Sequence, residues 1–306
     1  MNINKSQFTK YVDSNNTWLS KSEIQEFSFT DYGIKPTVLE TEAEVGKAML
    51  NELYSTAELK EGDINIALLG GRGAQELHRL LGEIAKTDEQ DALLARLNVF
   101  TQDALAPMGM GNSLSFVRDF ERILGDAFFK KIKSFTPMQT DTDDLEAALI
   151  GYLTKMEELG GLDIFFIGHG PEKNHASHLA YIKPFSGAKY HHVAGLIPIS
   201  SSILEHHISK FKAGGSVVNE KDEKECRSAE YILTLGPAAI LQAKKIVQSV
   251  VDAETAPAKV QTYANVLNTQ LSSDKEELEQ QLNANPGLWI RLHSNTKSFV
   301  LPNLGL

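Results

Sequence analysis

The clearest pattern in the chain is a strand, a glycine turn and a helix in immediate succession. Ile64-Asn65-Ile66-Ala67-Leu68-Leu69 is β-prone and mostly apolar on both faces, as a central parallel strand covered by helices would be. It stops at Gly70-Gly71-Arg72-Gly73, and Ala74, Leu77, Leu80, Leu81 and Ile84 then repeat at helical spacing. Upstream, Val38, Leu39, Val45, Ala48, Met49 and Leu53 mark another amphipathic helix. The same grammar returns where Leu145, Ala148, Leu149, Tyr152, Leu153, Met156 and Leu159 form one apolar face, closed by Gly160-Gly161. A strand over 162–167 follows and stops at Gly168-His169-Gly170-Pro171. A third strand, 231–235, ends at Gly236-Pro237 and is expected to feed a helix over 238–250.

Between these units, Phe116, Phe120, Ile123, Leu124 and Phe128 predict a helix whose aromatic stripe belongs to the core. The first thirty residues lack periodicity and read as a short helix in irregular chain. The acidic stretch 220–230 reads as solvated surface, and a last strand is expected over 297–301. Three strands with one grammar predict an α/β fold: a Rossmann-like parallel sheet with helices on both faces. The segments 64–69, 162–167 and 232–235 should lie parallel in one sheet, with their glycine loops at the same edge. No linker or composition shift divides the chain. Residues 1–35 therefore read as an N-terminal extension packed on a single domain, 36–306.

Charge and cysteine usage narrow the partners. A formal charge of −10 argues against nucleic acid or an acidic membrane as the main partner, although a local basic pocket remains compatible with it. A single cysteine, Cys226, excludes an internal disulfide and suits a reducing compartment. It stands in a charged stretch without a patterned histidine and is a poor nucleophile candidate. The start of the chain is polar, and no apolar run is long enough for a bilayer, so a cytoplasmic protein is expected. Self-association into a homo-oligomer is left open.

Two loops carry candidate chemistry. Glycines in Gly70-Gly71-Arg72-Gly73 let the backbone approach a ligand, and the helix N-terminus beyond offers free N–H groups to an anion. Arg72 can add a bidentate contact to phosphate. The plain alternative is a tight turn with a solvated arginine. The loop lacks the Gly-Lys-Ser/Thr of a nucleotide-phosphate loop and the glycine spacing of a dinucleotide site, so no nicotinamide cofactor is expected.

The second loop continues from Gly168 through Glu172 and His175 to His178, at the strand end where parallel sheets bind ligands. Its three histidines and Glu172 can transfer protons near neutral pH. Alternatively, His169 caps the strand while His175 and His178 lie on a solvated helix turn. The spacing lacks a zinc motif, so no metal is expected. The pairs His191-His192 and His206-His207 read as surface or core residues.

At these loops the sequence resembles the glucosamine-6-phosphate deaminase and isomerase family, which includes the 6-phosphogluconolactonases. The resemblance runs over 38–301. Gly71-Arg72-Gly73-Ala74 stands where the family has the phosphate loop Gly-Ser-Thr-Pro. Gly168-His169-Gly170, four extra residues and His178-Leu179-Ala180-Tyr181-Ile182-Lys183-Pro184 resemble its Gly-Ile-Gly-x-Asp-Gly-His-Ile-Ala-Phe-Asn-Glu-Pro. Ile232-Leu233-Thr234-Leu235-Gly236 resembles Leu-Thr-Val-Gly.

The resemblance implies a Rossmann-like fold, a sugar-phosphate ligand and no cofactor. It places Gln102 at the family's catalytic aspartate, in Val99-Phe100-Thr101-Gln102-Asp103-Ala104, and Asp103 beside it. His178 matches the ring-opening histidine, while Ala176 and Lys183 fall at its supporting carboxylates, leaving Glu172 as a replacement. Lys259 is the nearest match to the phosphate lysine.

The expected catalytic groups are therefore Asp103, Glu172 and His178. The expected substrate contacts are Gly70, Gly71, Arg72, Gly73, Gln102, His169, Gly170, Lys183 and Lys259. An amide cannot act as a base, so Asp103 must reach the site through a turn or bulge near 101–104. The expected function is a sugar-phosphate isomerase or hexosamine-6-phosphate deaminase with an altered site. The alternatives are a 6-phosphogluconolactonase-like hydrolase and a noncatalytic sugar-phosphate-binding or regulatory protein.

Overall fold

The computed structural model describes residues 7–13, 15–24 and 27–306. Its centre is a seven-stranded sheet ordered Pro36–Val38, Thr296–Val300, Lys245–Val250, Ile164–Ile167, Ile64–Leu68, Leu97–Thr101 and Ser134–Thr136. Every neighbouring pair in it is parallel. Ile64–Leu68 is buried at all five positions, which is what its unbroken apolar run demands of a strand covered on both faces. Strand order reverses between Ile64–Leu68 and Ile164–Ile167, and a crevice opens beyond their C-terminal ends. The two glycine loops leave the sheet there.

The helices follow local chemistry. Thr41 and Glu44 form a reciprocal capping box at the start of Glu42–Leu59. Asp144 caps Leu145–Glu158, and Gly160 and Gly161, both at positive φ, end it. Phe116–Lys131 buries Phe116, Phe120, Leu124 and Phe128, so the aromatic stripe is core.

A second, five-stranded sheet holds the surprises. Its order is Phe8–Asp13, Asn16–Lys21, His192–Pro198, Tyr231–Leu235 and Asp103–Ala106, all antiparallel. The segment 232–235, expected in the parallel sheet, lies here instead. Its strand–glycine signature matches the parallel strands, but pairing partners are tertiary and leave no mark on so short an apolar run. The helix expected over 238–250 is one turn and a half, Pro237–Gln242, followed by the parallel strand Lys245–Val250. Apolar residues buried on two sides made that segment readable either way. Among the described residues of the opening segment, Phe8–Asp13 and Asn16–Lys21 pair as antiparallel strands where a short helix was expected, and the adjacent Trp18 and Leu19, on opposite faces of the second strand, are both buried. The acidic stretch forms the helix Glu220–Arg227, in which Cys226 is buried, Asp222, Glu223 and Glu225 are half-buried and the rest is exposed. Among the described residues no helix is long and apolar enough to cross a membrane.

The two sheets share one piece of chain. Leu97–Thr101 ends in the parallel sheet, Gln102 bends, and Asp103–Ala106 enters the antiparallel one. The bend is pinned from both sides: Tyr152 Oη donates to the Thr101 carbonyl at 2.6 Å, and Leu235 N donates to the Gln102 carbonyl at 2.9 Å.

Several fully buried histidines make the fold acid-sensitive. Burial lowers His207 from its ordinary 6.5 to about 3, and His78 to about 4. The unfolded chain therefore binds more protons than the folded one between these values, so stability is full above pH 6.5 and declines as pH falls below it. Urea unfolding midpoints should fall steadily from pH 7 to pH 4. His207→Gln should flatten part of that slope while losing the bonds to Tyr181 Oη and the Leu114 carbonyl.

Candidate functional site

At the strand-end crevice a cleft open to solvent is lined from both glycine loops and both sheets. Leu69, Gly70 and Gly73 come from the first loop, Gly168, His169 and Gly170 from the second. Gln102 and Asp103 both reach it, because the bend between the sheets cancels the alternation that would turn neighbours apart.

His178 pairs in a short antiparallel ladder with Gly170 and is 4% exposed, not on a solvated turn; His175 is the exposed one. A Cβ at Gly170 would stand 1.8 Å from His178 Nε2, so only glycine leaves room for the imidazole. His178 Nδ1 lies 3.0 Å from Glu172 Oε1, and Ser202 Oγ donates to the other carboxylate oxygen. With Nδ1–H donated to Glu172, Nε2 is left as the basic nitrogen. Burial lowers the imidazole pKa, and Glu172 opposes that shift. Glu172 itself titrates lower than usual; burial works against this, but the bonds from His178 and Ser202 prevail.

Asp103 is 3% exposed, and its Oδ1 has no hydrogen-bond partner. Burial raises its pKa above the ordinary carboxylate range, opposed by the charge of Lys210. Gln102 Oε1 and His169 Nδ1 are buried and unpartnered too. The other His169 nitrogen meets Thr262 Oγ1 at 2.8 Å.

The cations are differently disposed. The expected phosphate contact Arg72 does not line the cavity: it is paired with Glu42, Nε to Oε2 at 3.3 Å. Lys183 does not line it either, and its ammonium donates to the Pro198 carbonyl. Lys259 does line it, held by both oxygens of Asp252 at 2.6 and 2.7 Å. Gly71 is absent from the lining, and its N–H donates to Asp119 Oδ2 at 3.1 Å.

Sequence reasoning missed Lys210, His206, Ser249 and Asp252 in the lining. Lys210 Nζ sits 4.7 Å from the Tyr181 ring centroid and 5.2 Å from that of Phe116. Burial lowers its pKa, with Asp103 opposing. His206 meets the His178 ring at 5.7 Å between centroids, whereas His207 is core. A readable signal existed: Ser202, His206 and Lys210 recur every four residues on the helix Ser201–Ala213, one polar stripe on one face. Among the described residues no group of three or more His, Cys, Asp and Glu is arranged to hold a metal ion.

No family model matches the chain, and no curated protein does. Solved structures match well. A monomeric glucosamine-6-phosphate deaminase aligns with a TM-score of 0.66 at 17% identity, covering 89% of this chain and 99% of that one. The 6-phosphogluconolactonase from Trypanosoma cruzi gives 0.64 at 14% identity, over 91% and 98%. The corresponding enzyme from Trypanosoma brucei gives 0.63 at 16%, over 89% and 98%. From parallel sheet to antiparallel partner, this chain has the α/β fold of glucosamine-6-phosphate deaminase and 6-phosphogluconolactonase.

Proposed function

We propose that this protein is an enzyme that moves a proton between adjacent carbons of an open-chain sugar carrying an anionic group, as sugar-phosphate isomerases and deaminases do. The observation that carries this reading is the pairing, on one cavity, of an unpartnered carboxyl at Asp103 with an imidazole at His178 oriented by Glu172. Removing a C2 proton needs a carboxylate whose pKa is close to the working pH, and burial moves Asp103 that way. His178 Nε2 takes the anomeric hydroxyl proton and delivers it to the ring oxygen as the C1–O5 bond breaks, which opens the sugar. Asp103 then carries the C2 proton to C1. The amide of Gln102 lines the same cavity and offers a donor to the oxygen on which negative charge develops. Lys210 replaces Arg72 as the cation for the substrate's anionic group.

Proton exchange at C2 in deuterated water tests this, followed by NMR across hexose and hexosamine 6-phosphates and hexuronates. Exchange should appear with at least one sugar and be lost in His178→Ala. Binding without exchange, ammonia release or lactone hydrolysis would favour the noncatalytic alternative. Lactone hydrolysis is the second reading, because the His178–Glu172 pair alone can activate a water. In that case Asp103→Asn would leave turnover intact.

A further inference from the structure

The positive potential on the loop side of the cavity is already matched by the chain's own carboxylates. Arg72 is paired with Glu42, Lys259 is gripped by Asp252, and the Gly71 N–H is taken by Asp119. The Lys259–Asp252 pair is nearly buried, each side chain 5% exposed. Of the lining cations this leaves Lys210 without a carboxylate bonded to it, and Asp103 faces the same space. A phosphate dianion placed here would meet a single uncommitted positive charge with carboxylates around it.

The unpartnered buried atoms ask for something else. Gln102 Oε1 and Asp103 Oδ1 are acceptors. Thr262 Oγ1 lies 2.8 Å from His169 Nε2 and 3.4 Å from the Lys259 carbonyl; in the tautomer in which it donates to that carbonyl and accepts from His169 Nε2–H, His169 Nδ1 is a third acceptor. Three buried acceptors on one cavity need hydrogen-bond donors, and hydroxyl groups supply them without bringing charge.

We infer that the ligand is a sugar acid, a polyhydroxylated chain bearing one carboxylate in the manner of a hexuronate, and not a sugar phosphate. Its hydroxyls satisfy Gln102, Asp103 and His169, and its carboxylate neutralises Lys210. This rests on the proposed reading for the sugar skeleton and narrows only the anionic group. The proton transfer is unchanged and balanced: the C2 hydrogen passes to C1 and the O2 proton to O1, turning an aldose acid into a ketose acid.

Glucuronate, glucose 6-phosphate and glucose share one skeleton and differ at C6, so calorimetry at pH 7.5 with the intact chain separates the cases. Glucuronate should bind at least tenfold tighter than either of the others. Lys210→Met should bring it down to the glucose level. Asp252→Asn, by releasing Lys259, should raise glucose 6-phosphate binding at least tenfold. Lys210→Met keeps the comparison decisive if Asp252→Asn fails to fold. Equal or tighter binding of glucose 6-phosphate by the wild-type chain, or no binding of any of the three, would overturn the assignment. Glucuronate binding without C2 exchange would support the carboxylate and count only against the proton transfer. Exchange confined to glucose 6-phosphate would do the reverse.

Discussion

Asp103→Asn should lower C2 exchange by roughly 10²–10⁴-fold, the range a positioned general base contributes, while ligand affinity changes little. The substitution keeps the size of the side chain and an acceptor oxygen at the position of Oδ1, which has no protein partner to lose. What disappears is the capacity to hold a proton. In the wild-type protein the reactive form is the carboxylate, so exchange should fall as pH drops through the Asp103 pKa. Burial places that limb above the pH of an ordinary aspartate. The limb should vanish in the variant together with the activity. Single-turnover NMR at several pH values measures both. An Asp103→Asn protein that still exchanges C2 at the wild-type rate would exclude the carboxyl as the base.

Lys259→Met should cost about 3–5 kcal/mol of stability, because it leaves Asp252 buried and unpaired. The Asp252→Asn/Lys259→Met double variant should lose much less than the sum of the single losses, since it removes the uncompensated charge along with the bond. Urea unfolding of the four proteins closes the cycle. A single-variant loss below about 1 kcal/mol, the scale of an exposed ion pair, would mean that water reaches the pair.

The parallel sheet was legible where strand, turn and helix signals reinforced one another. Ile64–Leu68 and Ile164–Ile167 are adjacent and parallel, each ending in the glycine loop read from sequence. Tyr231–Leu235 carried the same signature into the other sheet, because burial pattern records how covered a strand is and not which strand it pairs with. A turn near 101–104 was expected from reading Asp103 as a base beside an amide at the aligned position, and the chain does bend at Gln102. The cations were the least legible part. Arg72 and Lys259 looked available because a sequence displays charges without their partners. Glu42 is thirty positions from Arg72, and nothing in the spacing marks them as a pair. Lys210 went unseen because its relation to the site depends on a helix packed from elsewhere in the chain.

That helix, Ser201–Ala213, is also a rod that delivers three groups at once. Ser202 holds Glu172 near one end, His206 meets His178 in the middle, and Lys210 faces the cavity near the other. Its far end is clamped where Gln75 Nε2 and an Arg122 guanidinium nitrogen both donate to the Gly214 carbonyl, at 2.7 and 3.0 Å. A turn of the rod about its axis would tilt the buttress behind the imidazole and the ammonium together. In the proposed reaction, anchoring the substrate and aiming the proton acceptor would both be set by this one mechanical part, and a substitution that loosens the Gly214 clamp should detune both in step.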